Sequence, residues 1–335
     1  MGVLGRLAAV IGFALPLLAA PASAQQKITI KFVHSTPPTT YFLPYLVPVD
    51  QGWYEQNGIH IEEIFVNGGA TALRTFLSSK EDELTLTSVG PSIIFNAIIQ
   101  GAKIKSIGSW QPTVDYHIVA AKSVGTTLKD LQGKIFASAD SSDNTAALPP
   151  MILKKHGIDT SGIRFVQVGG HPQRLQAVEA GKAQATIINT LTMLIGQSHG
   201  AINVVGRVAD DFPSIAYITT VVKDSDLADA NKRKALEIFL KGNIIGARYV
   251  MDHPDEAAAL LQKRVPDLDP TLTKEVVRQL NAQNIWGVNG GNNADVYRFT
   301  SEIGKQLGVI EREVTVAEVM DNSLADKIVA EIGKR

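Results

Sequence analysis

The chain has 335 residues, with 32 basic against 33 acidic side chains, 45% hydrophobic residues and no cysteine. That length suits about two domains, the apolar share suits a sizeable core, and the balanced charge offers no basic surface for nucleic acid. Without cysteine the chain has no disulfide, thiolate nucleophile, cysteine-held zinc or iron–sulfur cluster, and no lipidated N-terminal cysteine.

Residues 1–24 have the three parts of a secretory signal peptide. Arg6 supplies a positive charge, residues 7–20 are apolar but too short to span a bilayer comfortably, and Ala22-Ser23-Ala24 is an A-x-A cleavage site. Cleavage after Ala24 removes Arg6 and leaves 31 basic against 33 acidic side chains. No later stretch is long and apolar enough to predict a transmembrane helix. The expectation is an exported, periplasmic protein.

Residues 27–33 end in an apolar step and predict a strand. His34 to Thr40, with two prolines and four hydroxyls, predicts a loop. A single aromatic-rich helix is expected over 41–57, with Gly58 as its C-cap. Strand 59–66, helix 70–79, strand 84–88, a helix opened by Gly90-Pro91 and strand 104–110 follow. An extended run at 113–121 leads to a short helix near 126–131. Then come strand 134–138, helix 146–155, strand 164–168, helix 172–180, strand 183–189 and strand 202–205. Residues 215–222 are extended and apolar and should return the chain to the first half. The tail predicts helices over 226–252, 254–263, 271–281 and 295–307, broken at Val265-Pro266 and Asp269-Pro270, which should cover the outside of one lobe. Alternating strands and helices predict an α/β protein whose sheets are mostly parallel and flanked by helices.

Two stretches share one pattern. Residues 32–91 and 136–191 each read strand, hydroxyl-rich loop, helix, x-Gly-Ile, strand, Gly-Gly, helix, strand and a polar residue. In such sheets ligands bind beyond the carboxyl ends of the strands, where helix N-termini offer unpaired N–H groups. Glycine admits close approach of a ligand, and hydroxyls donate or accept without charge. In the first copy the candidate ligand-binding residues are Ser35, Thr36, Thr40 and Tyr41, then Gly69, Ala70 and Thr71, then Ser88. In the second they are Ser141, Ser142, Asn144 and Thr145, then Gly170 and His171, then Asn189. Trp110 joins Tyr41 as a ring able to stack on a ligand. Each polar residue, taken singly, is more often a helix cap. Two matching sets give the functional reading its weight. Trp53 and Tyr54 read as core, and Arg174 reads more readily as an exposed arginine than as an anion ligand.

The seven histidines show neither H-x-x-x-H nor H-E-x-x-H spacing, so no metal is expected; His34 and His171 fall at presumed ligand-facing ends. G-x-S-x-G, G-x-x-x-x-G-K-[ST] and post-strand G-x-G-x-x-G are absent. No catalytic residue and no cofactor is expected.

The run Gln51-Gly52-Trp53-Tyr54-Glu55-Gln56-Asn57-Gly58-Ile59 resembles a signature of the periplasmic substrate-binding proteins of ABC importers for nitrate, sulfonates, taurine and thiamine-pyrimidine precursors. Leu128-Lys129-Asp130-Leu131-Gln132-Gly133-Lys134-Ile135 is similar to that family's entry to its second lobe, and Leu175 to Ala185 to its A-L-x-x-G-x-V-D-A, with Gln184 in the acidic place. The resemblance runs from about residue 27 to 255. It implies the two-lobed, type II periplasmic-binding-protein fold with a C-terminal helical extension. The lobes would be 25–115 and 116–219, with 220–335 returning to the first and adding the final helices. It further implies hinge bending at crossovers near 114–120 and 216–222, an inner-membrane ABC permease as partner, a monomer, and a small anionic or polar heteroaromatic ligand. A fungal pyrimidine-synthesising relative depends on a cysteine-rich iron motif that this chain lacks. An exported enzyme on the same fold and a ligand-sensing module are the alternatives.

Overall fold

The computed structural model describes residues 27–35, 39–66, 68–139 and 144–335. The expected signal peptide, Thr36, Ser141, Ser142 and the side chain of Asn144 lie outside them. In chain order the strands are β1 (Ile28–His34), β2 (Ile59–Phe65), β3 (Leu84–Val89), β4 (Ile104–Gly108), β5 (Tyr116–Ala121), β6 (Ile135–Ser138), β7 (Arg164–Gln167), β8 (Ala185–Asn189), β9 (Ile202–Arg207) and β10 (Thr219–Lys223). The first helices are α1 (Leu43–Asp50), α2 (Trp53–Gln56), α3 (Gly69–Leu77), α4 (Pro91–Ile99), α5 (Asn144–Lys155), α6 (His171–Glu179), α7 (Thr190–Ser198) and α8 (Val208–Asp211). The later ones are α9 (Asp224–Ala228), α10 (Ala230–Asp252), α11 (Pro254–Arg264), α12 (Pro270–Ala282), α13 (Ala294–Gln306), α14 (Val316–Val319) and α15 (Ser323–Ile332). Short 3-10 turns occupy Thr40–Phe42 and Leu128–Leu131.

The repeat read in the sequence becomes two sheets of matching order, β2-β1-β3-β10-β4 and β7-β6-β8-β5-β9. In each, the strand on either side of the leading one is parallel to it, as in β1 with β2 and β3. The fourth strand of each is antiparallel to both neighbours and is the one that directly follows a crossover between the sheets: β5 in the second sheet, β10 in the first. The chain thus passes from the first sheet to the second and back through two adjacent crossovers. These touch in an antiparallel bridge between Thr113 and Ala216, and the Tyr217 N–H donates to the Pro112 carbonyl at 3.1 Å. This is the two-lobed periplasmic-binding-protein fold.

The single helix expected over 41–57 is broken. Gly52 takes a left-handed conformation (φ 65°) between α1 and α2, a turn that favours a residue without Cβ. The helix expected over 226–252 is also two pieces, because the Asp229 carboxylate accepts the N–H groups of Asn231 and Lys232 and caps the 23-residue α10. Helices α14 and α15 were not expected.

The tail does not merely cover one lobe. Leu43 and Val47 of α1, Ala247 and Val250 of α10, Leu261 of α11 and Val276 and Leu280 of α12 share one buried cluster with Leu175, Val178, Met193 and Leu194 of the second lobe. Helices α10 to α12 therefore join the lobes through a continuous apolar core. Packing of α1 on α10 is close enough that a Cβ on Gly246 would stand 1.8 Å from the Pro44 carbonyl oxygen.

Candidate functional site

In the first lobe, β1 ends beside the start of α3. The Val66 and Gly68 N–H groups donate to the carbonyls of His34 and Ser35 at 3.0 and 2.9 Å. Tyr41 sits in the turn before α1, packed on Phe42 with ring centres 4.3 Å apart. Its hydroxyl bonds to Ser35, and burial pushes its pKa well up. The second lobe repeats the arrangement, with the Val168 N–H donating to the Ser138 carbonyl at 3.0 Å. Gly170 is the N-cap of α6 and His171 its first residue.

The two ends meet through a row of rings. Tyr41 lies edge-on to Tyr217 at 5.8 Å, Tyr217 edge-on to Tyr116 at 5.7 Å, and Tyr116 edge-on to His171 at 5.4 Å. Tyr217 stands on the second crossover, and Tyr116 opens β5 directly after the first. Three phenol rings and an imidazole thus gather where both lobes and both crossovers converge, Tyr41 buried and the other three half-buried. Such groups suit a planar or polar small molecule.

Beneath the row lies a sealed polar group. The Asp115 carboxylate accepts the Thr190 N–H at 3.0 Å and the Gln111 amide at 3.2 Å. Burial raises its pKa, and these hydrogen bonds oppose the rise. His117 Nε2 is 3.1 Å from the Thr190 hydroxyl, and the Gln283 amide of the segment after α12 donates to that hydroxyl at 3.4 Å. The N-terminus of α7 is thereby filled by the protein's own carboxylate.

The sequence candidates divide by exposure. Ser35, Gly69, Ala70, Thr71, Gly170 and His171 keep accessible surface at the two ends. Others are tied to backbone: the Ser88 hydroxyl donates to the Thr219 carbonyl at 3.3 Å, Thr145 accepts the Ala139 N–H at 2.8 Å, and Asn189 caps α7 by accepting the Thr192 N–H at 3.0 Å. Thr40 is buried. Trp110 is 2% exposed and packed against Phe32 and Tyr45, so its ring belongs to the first lobe's core. His34 is fully buried beneath α1, its Nε2 3.1 Å from Glu63 and its ring stacked on Phe65, not at the ligand-facing end. Burial, partly offset by Glu63, holds its pKa down.

Arg174 is not on the surface. It is 2% exposed, with Nε donating to the Ile187 carbonyl at 3.1 Å, Nη1 to the Gly169 carbonyl and Nη2 to His171 Nδ1 at 2.7 Å. Tyr217 and Asp115 had no local signal in the sequence. Each is one residue in an extended apolar or mixed run, and only the meeting of the crossovers gives it a place. Among the described residues no group of His, Asp or Glu side chains could hold a metal ion, and no helix is long and apolar enough to cross a membrane.

The family model described as NMT1/THI5 like matches residues 39–257. The protein named "Putative binding protein YtlA" of Bacillus subtilis is 21% identical over 322 residues, covering 94% of this chain and 95% of that protein. Among solved structures, the ligand-binding component of an ABC-type import system from Staphylococcus aureus superposes with a TM-score of 0.72 at 12% identity, over 91% of this chain and 99% of the other. The desulfurization enzyme DSZB superposes with a TM-score of 0.65 at 11% identity, over 91% and 100%.

Proposed function

Since the chain belongs to the NMT1/THI5-like family, we propose that it is the solute-binding component of an ABC-type importer. On this reading it holds one small ligand between its lobes and releases it unchanged to an inner-membrane permease. The observation that carries the reading is the row from Tyr41 through Tyr217 and Tyr116 to His171, which joins two like strand ends across two crossovers. The lobes are residues 25–115 and 116–219, with 220–335 returning to the first. Rotation at the crossovers brings Ser35, Gly69 and Thr71 toward Gly170 and His171, and a ligand touching both sets favours the closed form. Thr36, Ser141 and Ser142, which follow β1 and β6 in the sequence, are included in the same reading.

The ligand class is a sulfonate, nitrate, carboxylate or thiamine precursor. Its recognition rests on N–H, hydroxyl and imidazole donors with aromatic faces beside them. The protein works in the periplasm, after removal of residues 1–24, as a monomer. The test is a thermal-shift screen of the mature protein against alkanesulfonates, taurine, nitrate, aromatic carboxylates and thiamine precursors. A compound well above its dissociation constant raises the melting temperature. Silence across the panel counts against these ligand classes.

DSZB is the reason to keep a second reading, an exported enzyme on the same fold. It requires the ligand to come back chemically altered.

A further inference from the structure

We propose that Arg174 is a positioning residue: it holds His171 as a neutral imidazole with its one proton on Nε2, presented to the interlobe site as a fixed hydrogen-bond donor. The tautomer follows from the partners of Nδ1. That atom lies 2.7 Å from Nη2 of Arg174 and 3.1 Å from the backbone nitrogen of Asn189. A guanidinium and a peptide N–H can only donate. Nδ1 must therefore offer its lone pair, and the proton of the neutral ring is left on Nε2.

Protonating Nδ1 would set a third N–H against two others and place an imidazolium beside a guanidinium. Both effects act against the cation, and burial adds to them. Among the described residues Arg174 is the charged group that acts on the ring, and Tyr116 of β5 is the titratable group packed against it. Arg174 is itself held by the Ile187 and Gly169 carbonyls, so its geometry is set by β8 and by the turn before α6.

Among the described residues no group bonds to Nε2, and that atom is not sealed from solvent. His171 is half-buried at the lobe-2 end of the tyrosine row, so its Nε2–H is the polar edge left for a ligand. Arg174 then acts through His171 and need not reach the ligand. A fixed donor selects an acceptor atom on the ligand: a sulfonate, carboxylate or carbonyl oxygen, or an unprotonated ring nitrogen. A ligand N–H at that point leaves two donors facing each other and is rejected. The ligand part of this inference rests on the solute-binding reading; the tautomer part does not.

The experiment is long-range 1H–15N NMR of the 15N-labelled mature protein between pH 8 and 5, with His171 assigned through His171→Asn. The expected spectrum shows His171 as the Nε2–H tautomer alone, unchanged through the ordinary imidazole range near about 6.5. In Arg174→Gln the same ring should begin to titrate in that range and exchange between tautomers, while the other six of the seven histidines keep their shifts. Arg174→Lys, which restores a donor and a charge, should restore the single tautomer. An Nδ1–H tautomer or an imidazolium at pH 6 in the unaltered protein overturns the proposal, whether or not either variant folds. Ethanesulfonate is the ligand probe. A rise in melting temperature with His171 Nε2 unmoved overturns the donor role. No rise at all counts against a sulfonate ligand, and leaves the tautomer to be decided by the spectrum of the free protein.

Discussion

Asp115 and Thr190 are joined at 3.0 Å, carboxylate to backbone N–H, and the pair fastens the first crossover to the N-terminus of α7. The Thr190 hydroxyl returns a bond to the Asp115 carbonyl at 3.3 Å. Asp115→Ala should cost about 2–3 kcal/mol, because it leaves the Thr190 N–H buried without an acceptor and leaves the Gln111 amide only the Thr113 carbonyl. Asp115→Asn should cost less, since an amide oxygen can still accept from Thr190. Urea unfolding of both variants measures the difference; equal losses would show that the hydrogen bond to Thr190 contributes little.

The apolar core shared by α1, α10, α11, α12, α6 and α7 couples the lobes. Thermal unfolding should therefore be a single cooperative transition. Leu280→Ala, which empties a fully buried site in that core, should lower stability by about 2–5 kcal/mol and keep the transition single. Calorimetry that resolves two transitions in the unaltered protein would contradict the coupling.

Gly246→Ala should be among the most damaging small substitutions in the chain. The added Cβ meets the Pro44 carbonyl oxygen, part of the α1 backbone, and the two helices must separate. A loss of about 1–3 kcal/mol, or somewhat more, is expected from such overpacking. An unchanged urea midpoint would show that α1 and α10 are farther apart than described.

His117 sets a pH dependence with a definite sign. Burial, followed by the charge of Arg207, holds its pKa down to about 4, against about 6.5 in an unfolded chain. Between those values the unfolded chain binds a proton that the folded one does not. The stabilisation is thus present above about pH 6.5 and is lost as pH falls toward 4, by up to about 3 kcal/mol. His117→Gln should flatten that part of the stability profile. His171, also held down by burial and by Arg174, should leave a residual slope of the same sign. A profile as steep in His117→Gln as in the parent would remove His117 as its source.

The fold was legible because the repeat is periodic and long. Each half carries the same strand–loop–helix order, and the apolar runs at 113–121 and 215–222 mark the crossovers and the antiparallel strands that follow them. The breaks at Gly52 and Asp229 were harder to see, because helical patterns continue on both sides and a cap competes with continuation only through backbone geometry. At the site, local chemistry reached the accessible ends: Ser35, Gly69, Thr71, Gly170 and His171. It could not tell a polar side chain facing a ligand from one facing the backbone, as with the hydroxyls of Ser88 and Thr145 and the amide of Asn189. Nor could it foresee that the Arg174 guanidinium would be buried against Ile187, Gly169 and His171. Tyr217 shows the limit most plainly. Its neighbours in the row belong to residues far away in sequence, so its role exists only once both crossovers are in place.

The most direct test of the central claim is to bind a compound that raises the melting temperature, release it by denaturing the protein, and weigh it by mass spectrometry. About one equivalent should be recovered with its mass unchanged after prolonged incubation. A recovered product of different mass, formed only in the presence of the folded protein, would contradict a solute-binding role and establish an enzyme.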